Sequence, residues 1–183
     1  GNAVKQTIST EGYIKDVWTF SGLRDIDNTS IDIYDQVKHA NITSFKSAAR
    51  DFLEYQEIDY LQYDKFGNVE KQRVRSFADA AKTQLREYKE IINTYKDDVS
   101  RRRGNAEVST TTRWTDDSKA VDKQIGQTVV TTSSFDEQGR ALIQRQESFV
   151  YSDGAMKLAS YSDTKFSDYD NRGDAARQEV TSY

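Results

Sequence analysis

A short turn-and-strand unit recurs along this 183-residue chain and constrains its fold more than any other feature. The clearest copy, Tyr63 to Phe77, has an Asp that can form an Asx-turn, two variable residues, a Gly that can adopt positive φ, and an alternating strand. Counted from the turn residue, copies begin near positions 1, 35, 67, 104, 139 and 173, at spacings of 34, 32, 37, 35 and 34 residues. Such a regular period is typical of repeat proteins.

Several residue types keep their register from one copy to the next. Gln stands five residues after the turn residue in four copies, and an aromatic residue stands ten after it in five. We predict that these aromatic residues pack between successive repeats: Phe45, Phe77, Trp114, Phe149 and Tyr183. We also predict positive φ, which suits glycine, at the reversals marked by Gly67, Gly104, Gly139 and Gly173.

These patterns predict a mainly β fold of tandem β-hairpin repeats of about 34 residues, which form an elongated antiparallel sheet structure. Residues 1–183 would form one repeat tract, with 12–32 as a divergent segment. Only 36% of the residues are hydrophobic, while 11 Tyr, 8 Phe and 2 Trp provide large contact areas. We therefore expect stacking of neighbouring repeats, and not a large core, to stabilise the chain.

Short helical connectors are predicted in the N-terminal half, near residues 46–54 and 78–87. Phe45, Ala48, Ala49 and Phe52 are spaced like one helical face, and the pattern returns after Phe77. Ser76 followed by Asp79 is similar to a capping box. The alternative is one continuous helix over residues 78–95.

Composition excludes several classes of function. The chain has no Cys, which rules out disulfides and thiolate metal sites, and no apolar run long enough to cross a bilayer. A net charge of −4 with interspersed signs argues against a nucleic-acid partner. The chain opens inside a repeat, at its turn glycine, so we expect it to be a segment of a longer protein or its mature part.

Few residues are candidates for chemistry, and we predict neither an enzyme nor a cofactor. Weak candidates for calcium ligands are Asp25, Asp27, Asn28 and Asp32, but the cluster lacks the Gly and bidentate Glu of an EF-hand loop. The single histidine, His39, is more typical of a surface or packed residue than of a catalyst. The run from Arg101 to Arg103 is interpreted as a solvated loop insertion, with contact to an anionic surface as the alternative.

The turns Tyr63-Asp64-Lys65-Phe66-Gly67, Phe135-Asp136-Glu137-Gln138-Gly139 and Tyr169-Asp170-Asn171-Arg172-Gly173 resemble the YD or Rhs repeats of giant bacterial surface and secreted proteins. The resemblance covers most of residues 31–183, although the period here is longer than in Rhs repeats. It implies an extracellular or cell-surface structural tract and names no ligand.

The expected function is a structural or interaction module, such as an adhesin stalk, a spacer or a fibre subunit. Its partners would be further repeats of the same protein or other copies of itself, joined by strand pairing at the two ends. Head-to-tail pairing would give a filament. The alternatives are a ligand- or glycan-binding module, or a shell or spacer for an enzyme or toxin domain elsewhere in the protein.

Overall fold

The computed structural model describes residues 2–14, 17–170 and 175–183. These residues form eleven strands, hydrogen-bonded in chain order into one open antiparallel sheet. The mainly β class predicted from the sequence is confirmed. The strands are β1 (Lys5–Ile14), β2 (Val17–Ile31), β3 (Val37–Phe45), β4 (Phe52–Tyr63), β5 (Val69–Phe77), β6 (Leu85–Thr94), β7 (Val108–Trp114), β8 (Gln124–Phe135), β9 (Ala141–Ser152), β10 (Ala155–Tyr169) and β11 (Ala175–Ser182).

The alternating pattern of the strands places different side chains on the two faces of the sheet. Ile26 of β2 lies opposite Ile42 of β3, while the preceding residue of β2, Asp25, lies opposite Thr43. Thr43 in turn lies opposite Tyr55 of β4. Successive residues of a strand point to opposite faces, so one face carries the isoleucines and the other carries Asp25, Thr43 and Tyr55.

The chain divides into two compact units. The first comprises Gly1–Leu61, Gln72–Lys89 and Thr115–Asp117, and the second comprises Gln62–Lys71, Glu90–Trp114 and Ser118–Tyr183. Buried hydrophobic side chains of the first unit are those of Leu23, Ala40, Val74, Phe77 and Tyr88.

The second unit leaves large apolar side chains in contact with water. Ile143, Leu158 and Val180 are 41%, 50% and 58% exposed, whereas the hydroxyl-bearing Thr132 is buried. The buried hydrophobic side chains named above all belong to the first unit, so the apolar core of the second unit is smaller still.

The predicted connector helices near residues 46–54 and 78–87 are wrong. Residues 46–51 form a tight turn, and β4 already begins at Phe52. Residues 78–84 also form a turn, and β6 begins at Leu85, which excludes the continuous helix as well. The helix-like spacing of alanines spans too few residues to overcome the cost of nucleating a helix between two strands.

Asp79, one of the two residues that suggested helix capping, instead closes the turn between β5 and β6, whereas Ser76 is buried in β5. Asp79 accepts hydrogen bonds from the backbone N–H groups of Thr83 and Gln84, at 3.0 and 2.9 Å, so its side chain turns forward along the chain. Ala78 N donates to Gln84 O at 2.9 Å and joins the two ends of the turn. A residue of this type favours a turn as readily as a helix start.

Regular helix in the described residues occurs at the arginine run, where a loop was expected. Helix α1 (Asp98–Arg103) begins after Asp97, whose side chain accepts from Ser100 N at 2.8 Å, and ends at Gly104 with φ 70°. Its basic last turn is favourable at the negative end of the helix dipole. One 3₁₀ turn follows at Val121–Lys123.

Candidate interaction surface

Three hairpins of the sheet have the same type of turn, in which an aspartate side chain accepts hydrogen bonds from the backbone. In the β4–β5 turn, Asp64 Oδ1 accepts from Phe66 N at 2.8 Å and Asn68 N at 2.9 Å, while Gly67 N donates to Asp64 O at 3.1 Å. The turns at Asp32 and Asp136 repeat all three hydrogen bonds.

The residue three positions after the turn aspartate adopts positive φ in each case. The values are 61° at Asp35, 87° at Gly67 and 87° at Gly139. Gly104 also has positive φ, but at the end of α1 and not at a tight hairpin reversal. Gly1 and Gly173 lie outside the described residues.

Replacing Asp64 with alanine is expected to lower the free energy of unfolding by about 1–3 kcal/mol at pH 7, since two backbone N–H groups lose their acceptor. Burial tends to raise the pKa of Asp64, but hydrogen bonds from Asn68 and Phe66 outweigh it and hold the pKa below its usual value. A carboxyl group with a lowered folded-state pKa stabilises the fold above its unfolded pKa of about 3.9 and loses that contribution as pH falls through the folded pKa.

Urea titrations at pH 7 and pH 3 measure this effect, and the difference between Asp64→Ala and the unmodified chain should be smaller at pH 3. Asp98→Ala is a matched control, because the Asp98 side chain is 58% exposed and that of Asp64 is 4% exposed. An equal loss for the two variants would show that the turn hydrogen bonds do not stabilise the fold.

The turns at the other ends of the strands carry basic residues in a left-handed backbone conformation. Each basic side chain reaches across one strand to a carboxylate on the strand beyond it. We call these three contacts the basic clamps: Arg50 (φ 67°) with Asp25 of β2, Lys82 (φ 60°) with Glu57 of β4, and Lys119 (φ 57°) with Glu90 of β6.

In the basic clamps of Lys82 and Lys119, the side-chain nitrogen lies within ion-pair distance of the carboxylate oxygen. Lys82 Nζ lies 2.7 Å from Glu57 Oε1, a hydrogen bond that raises the pKa of Lys82. Glu90 is shared, with Lys71 Nζ at 2.8 Å and Lys119 Nζ at 3.3 Å. Burial tends to raise the pKa of Glu90, but the two lysines lower it overall. Each basic clamp ties a turn to a strand that is not its hydrogen-bonded neighbour.

A polar cluster of the first unit surrounds Asp59. His39 Nδ1 lies 2.7 Å from Asp59 Oδ1, and Arg73 Nε donates to Asp59 Oδ2 at 2.8 Å. Arg75 Nη1 donates to the same oxygen at 3.3 Å and lies 3.9 Å from Glu57. Burial tends to raise the pKa of Asp59, but His39 and Arg73 lower it below its usual value.

This arrangement makes His39 a hydrogen-bonded member of the polar cluster around Asp59. Both oxygens of Asp59 are engaged by cationic or ring nitrogen donors, which disfavours proton transfer by that carboxylate. The second ring nitrogen of His39 lies 3.2 Å from Asn41 Oδ1. Within the described ranges, no three His, Cys, Asp or Glu side chains are close enough to hold a metal ion.

The four candidate calcium ligands are engaged in separate contacts along β2 and the turn after it. Asp25 pairs with Arg50 and accepts from Thr7 Oγ1, and Asp27 lies 3.4 Å from Lys5. Asn28 is buried and donates to a backbone carbonyl, while Asp32 holds its turn. The structure therefore does not bring these side chains to one point.

The five repeat aromatics differ in burial. Phe77 is 8% exposed, whereas Phe45, Trp114 and Phe149 are partly buried. Tyr183 is 66% exposed, and its ring stacks on that of Tyr161 at a centroid distance of 4.5 Å.

An open polar groove in the first unit is the feature most similar to a ligand site. Its lining includes Lys5, Gln6, Asp27, Asn41 and Tyr55. Lys82 Nζ lies 4.8 Å from the centroid of the Tyr55 ring, so a cation lies against this ring. Glycan binding thus stays a prediction without a geometric argument in its favour.

The outer edge of β1 is the clearest surface for a protein partner. Residues 2–11 are all exposed, and Val4 and Ile8 are 59% and 43% exposed. Asn28 N donates to Val4 O at 2.8 Å, and in an antiparallel ladder residues alternate between facing the partner strand and facing away. The backbone groups of Lys5, Thr7 and Ser9 therefore point away from β2.

No protein-family model, curated protein or solved structure matches this chain. In the part of the chain that the structure describes, none of the helices has the length and apolar character needed to cross a membrane. The features of this chain that bear on its function are therefore the turns, the basic clamps and the β1 edge.

The sequence patterns anticipated the aspartate turns but not the basic clamps. Arg50, Lys82 and Lys119 lie within the connectors between strands, the first two of which have the residue spacing of a helix. A signal was present, because a basic residue recurs there at intervals of 32 and 37 residues, the same as those between the turn residues 35, 67 and 104.

Proposed function

We propose that this chain is a structural or interaction repeat module of a large extracellular or cell-surface bacterial protein, such as an adhesin stalk, a spacer or a fibre subunit. One observation carries the proposal: the Asp-centred turn recurs with the same hydrogen bonds at Asp32, Asp64 and Asp136. These positions are separated by 32 and 72 residues, which correspond to one and two periods of a tandem repeat.

The basic clamps support the same repeat from the opposite ends of the strands. Each basic clamp joins the turn between two strands to the strand that precedes them in sheet order, so these strands are held together by a side-chain contact as well as by backbone pairing. In repeat proteins, stability is approximately the sum of intrinsic repeat terms and nearest-neighbour terms. Such a tract can vary in repeat number without a change of fold, which suits a spacer.

The chemistry of the polar clusters also suits a structural role. The acidic groups around His39 and in the basic clamps have cationic partners, and exposed ion pairs contribute little individually but more when arranged in networks. Extracellular placement follows from the similarity of the Tyr-Asp-x-x-Gly turns to YD or Rhs repeats, and it is part of the proposal.

Deletion of one period tests the repeat on which this function depends. Removal of residues 36–67 joins Asp35 to Asn68, so that β2 runs through an Asp-centred turn into β5. We expect this variant to fold cooperatively with β-rich circular dichroism and a nine-stranded sheet, because every remaining strand keeps its direction and face.

The matched control removes residues 36–51, which deletes β3 alone. Asp35 would then have to reach Phe52 with no connector across the length of a nine-residue strand, roughly 30 Å. We expect that variant to lose cooperative unfolding. If the full-period deletion unfolds as completely as the half-period deletion, the tandem repeat and the structural module built on it are wrong.

A further inference from the structure

We infer that the outer edge of β1 binds the same edge of a second copy of this chain, in an antiparallel ladder centred on Ile8. This inference rests on the proposed role as an interaction module and specifies its partner and register. Edge strands with unpaired backbone groups favour strand addition unless charge, proline or a bulge protects them. The β1 strand has no proline, and its register irregularity places the extra residue on β2.

The sequence of β1 is complementary to itself in this register. With Ile8 opposite Ile8 of the second copy, Lys5 faces Glu11, Gln6 faces Thr10 and Thr7 faces Ser9. The two charged residues of the segment 5–12 thus meet opposite charges, and they do so twice in the dimer. Opposite charges facing each other across two strands are stabilising, whereas like charges are destabilising.

The backbone geometry suits the same register. The outward N–H and C=O groups belong to odd-numbered residues, so Thr7 and Ser9 of the two copies form hydrogen-bonded pairs on either side of the axis. Ile8 then lies at a non-hydrogen-bonded position, where side chains approach most closely. Its exposed side chain would be covered by the equivalent one from the second copy.

The symmetry of this contact decides the assembly. The same patch is used on both copies, so the interface is isologous and closes as a dimer with a twofold axis. A filament would require a different, heterologous pairing. The self-complementarity of β1 therefore favours a dimer over the filament expected from the sequence.

Disulfide trapping tests the register on the full 183-residue chain, which contains no cysteine of its own. Cα atoms of a non-hydrogen-bonded pair lie about 4.5 Å apart, within the range that a disulfide bridges. We expect Ile8→Cys to give a covalent dimer under mild oxidation and Gln6→Cys, on the same face of the same strand, to give little. A mixture of Gln6→Cys and Thr10→Cys should give the heterodimer.

Charge reversal supplies a second, independent test by sedimentation equilibrium. Lys5→Glu or Glu11→Lys alone places like charges opposite each other twice and should weaken dimerisation about tenfold or more, the effect of two cross-strand pairs. In a mixture of the two variants both pairs become complementary, so dimerisation should return. Circular dichroism of each variant checks that the sheet has formed.

Three results would overturn the inference. The first is a chain that stays monomeric at every accessible concentration, and the second is equal crosslinking of Ile8→Cys and Gln6→Cys. The third is crosslinking through Val180→Cys on β11 but not through Ile8→Cys, which would place the contact elsewhere. None of these results affects the deletion experiment, which tests the repeat in a monomer, so failure of the dimer is distinguishable from failure of the proposed function.

Discussion

Replacing Phe77 with alanine is expected to lower the free energy of unfolding by about 3–5 kcal/mol, the range for truncation of a buried Phe. Phe77 ends β5, is 8% exposed, and packs with its ring centroid 6.3 Å from that of Tyr55. The first unit has a small apolar core, so little surrounding side-chain volume is available to fill the cavity. Urea denaturation monitored by circular dichroism measures the change.

Phe66→Ala is the control for this prediction, because it removes the same ring from a hairpin turn. Phe66 is 37% exposed, and Lys65 and Arg102 lie over its ring. We expect a loss of about 1 kcal/mol or less, the scale of an exposed cation–π contact. If Phe77→Ala changes the free energy of unfolding by less than about 1 kcal/mol, the Phe77 ring does not contribute to the core.

The strands and Asp-centred turns could be predicted from sequence because both depend on short-range chemistry. An aspartate side chain can accept a hydrogen bond from the backbone N–H two residues later and so form an Asx-turn. In the strand after the turn, the alternation of apolar and polar residues indicates which face of the sheet each side chain takes. Asp64 and Asp136 show that turn, as the Asp-x-x-Gly sequence after Tyr63 and after Phe135 indicated.

The connectors were misassigned because helix and turn share the same local signals. Ser76, Asp79 and the alanines between Phe77 and Leu85 fit the start of a helix, but β5 and β6 must pair along their length. The connecting segment is then limited to a reversal of seven residues, 78–84. Pairing of long strands is a tertiary effect, and it overrides a weak local propensity.

The ion-pair network around Asp59 could not be derived from sequence, since it depends on register. His39, Arg73 and Arg75 are separated from Asp59 by 14 to 20 residues and reach it only after strands align. A lone histidine is more often a packed residue than a catalyst. His39 fits that rule, because its ring nitrogens contact Asp59 and Asn41. Burial of the aromatic rings also depends on where each strand lies in the sheet. Phe77 is 8% exposed and Tyr183 is 66% exposed, although both stand at the same position of the repeat.

Gly126→Ala is expected to lower the free energy of unfolding by about 1–3 kcal/mol, the usual cost of overpacking. Gly126 lies in β8, where a Cβ atom would stand 2.5 Å from the carbonyl oxygen of Phe149 on β9. That oxygen belongs to the backbone, so no side-chain rotation can relieve the contact and the two strands must separate locally. Gly126 has no positive φ, which leaves the steric contact as the cause.

Gly22→Ala is the matched control, because Gly22 lies next to a register shift in β2 as Gly126 lies next to one in β8. A Cβ atom at Gly22 would have no neighbour within 4 Å. Since alanine restricts the unfolded chain more than glycine, this variant should be neutral or more stable by about 0.4–1 kcal/mol. The two substitutions therefore have opposite expected signs, and parallel thermal and urea denaturation compares them. Equal losses at both positions would mean that glycine is required by the β-bulge itself, whereas no loss at Gly126 would contradict the close approach of β8 and β9.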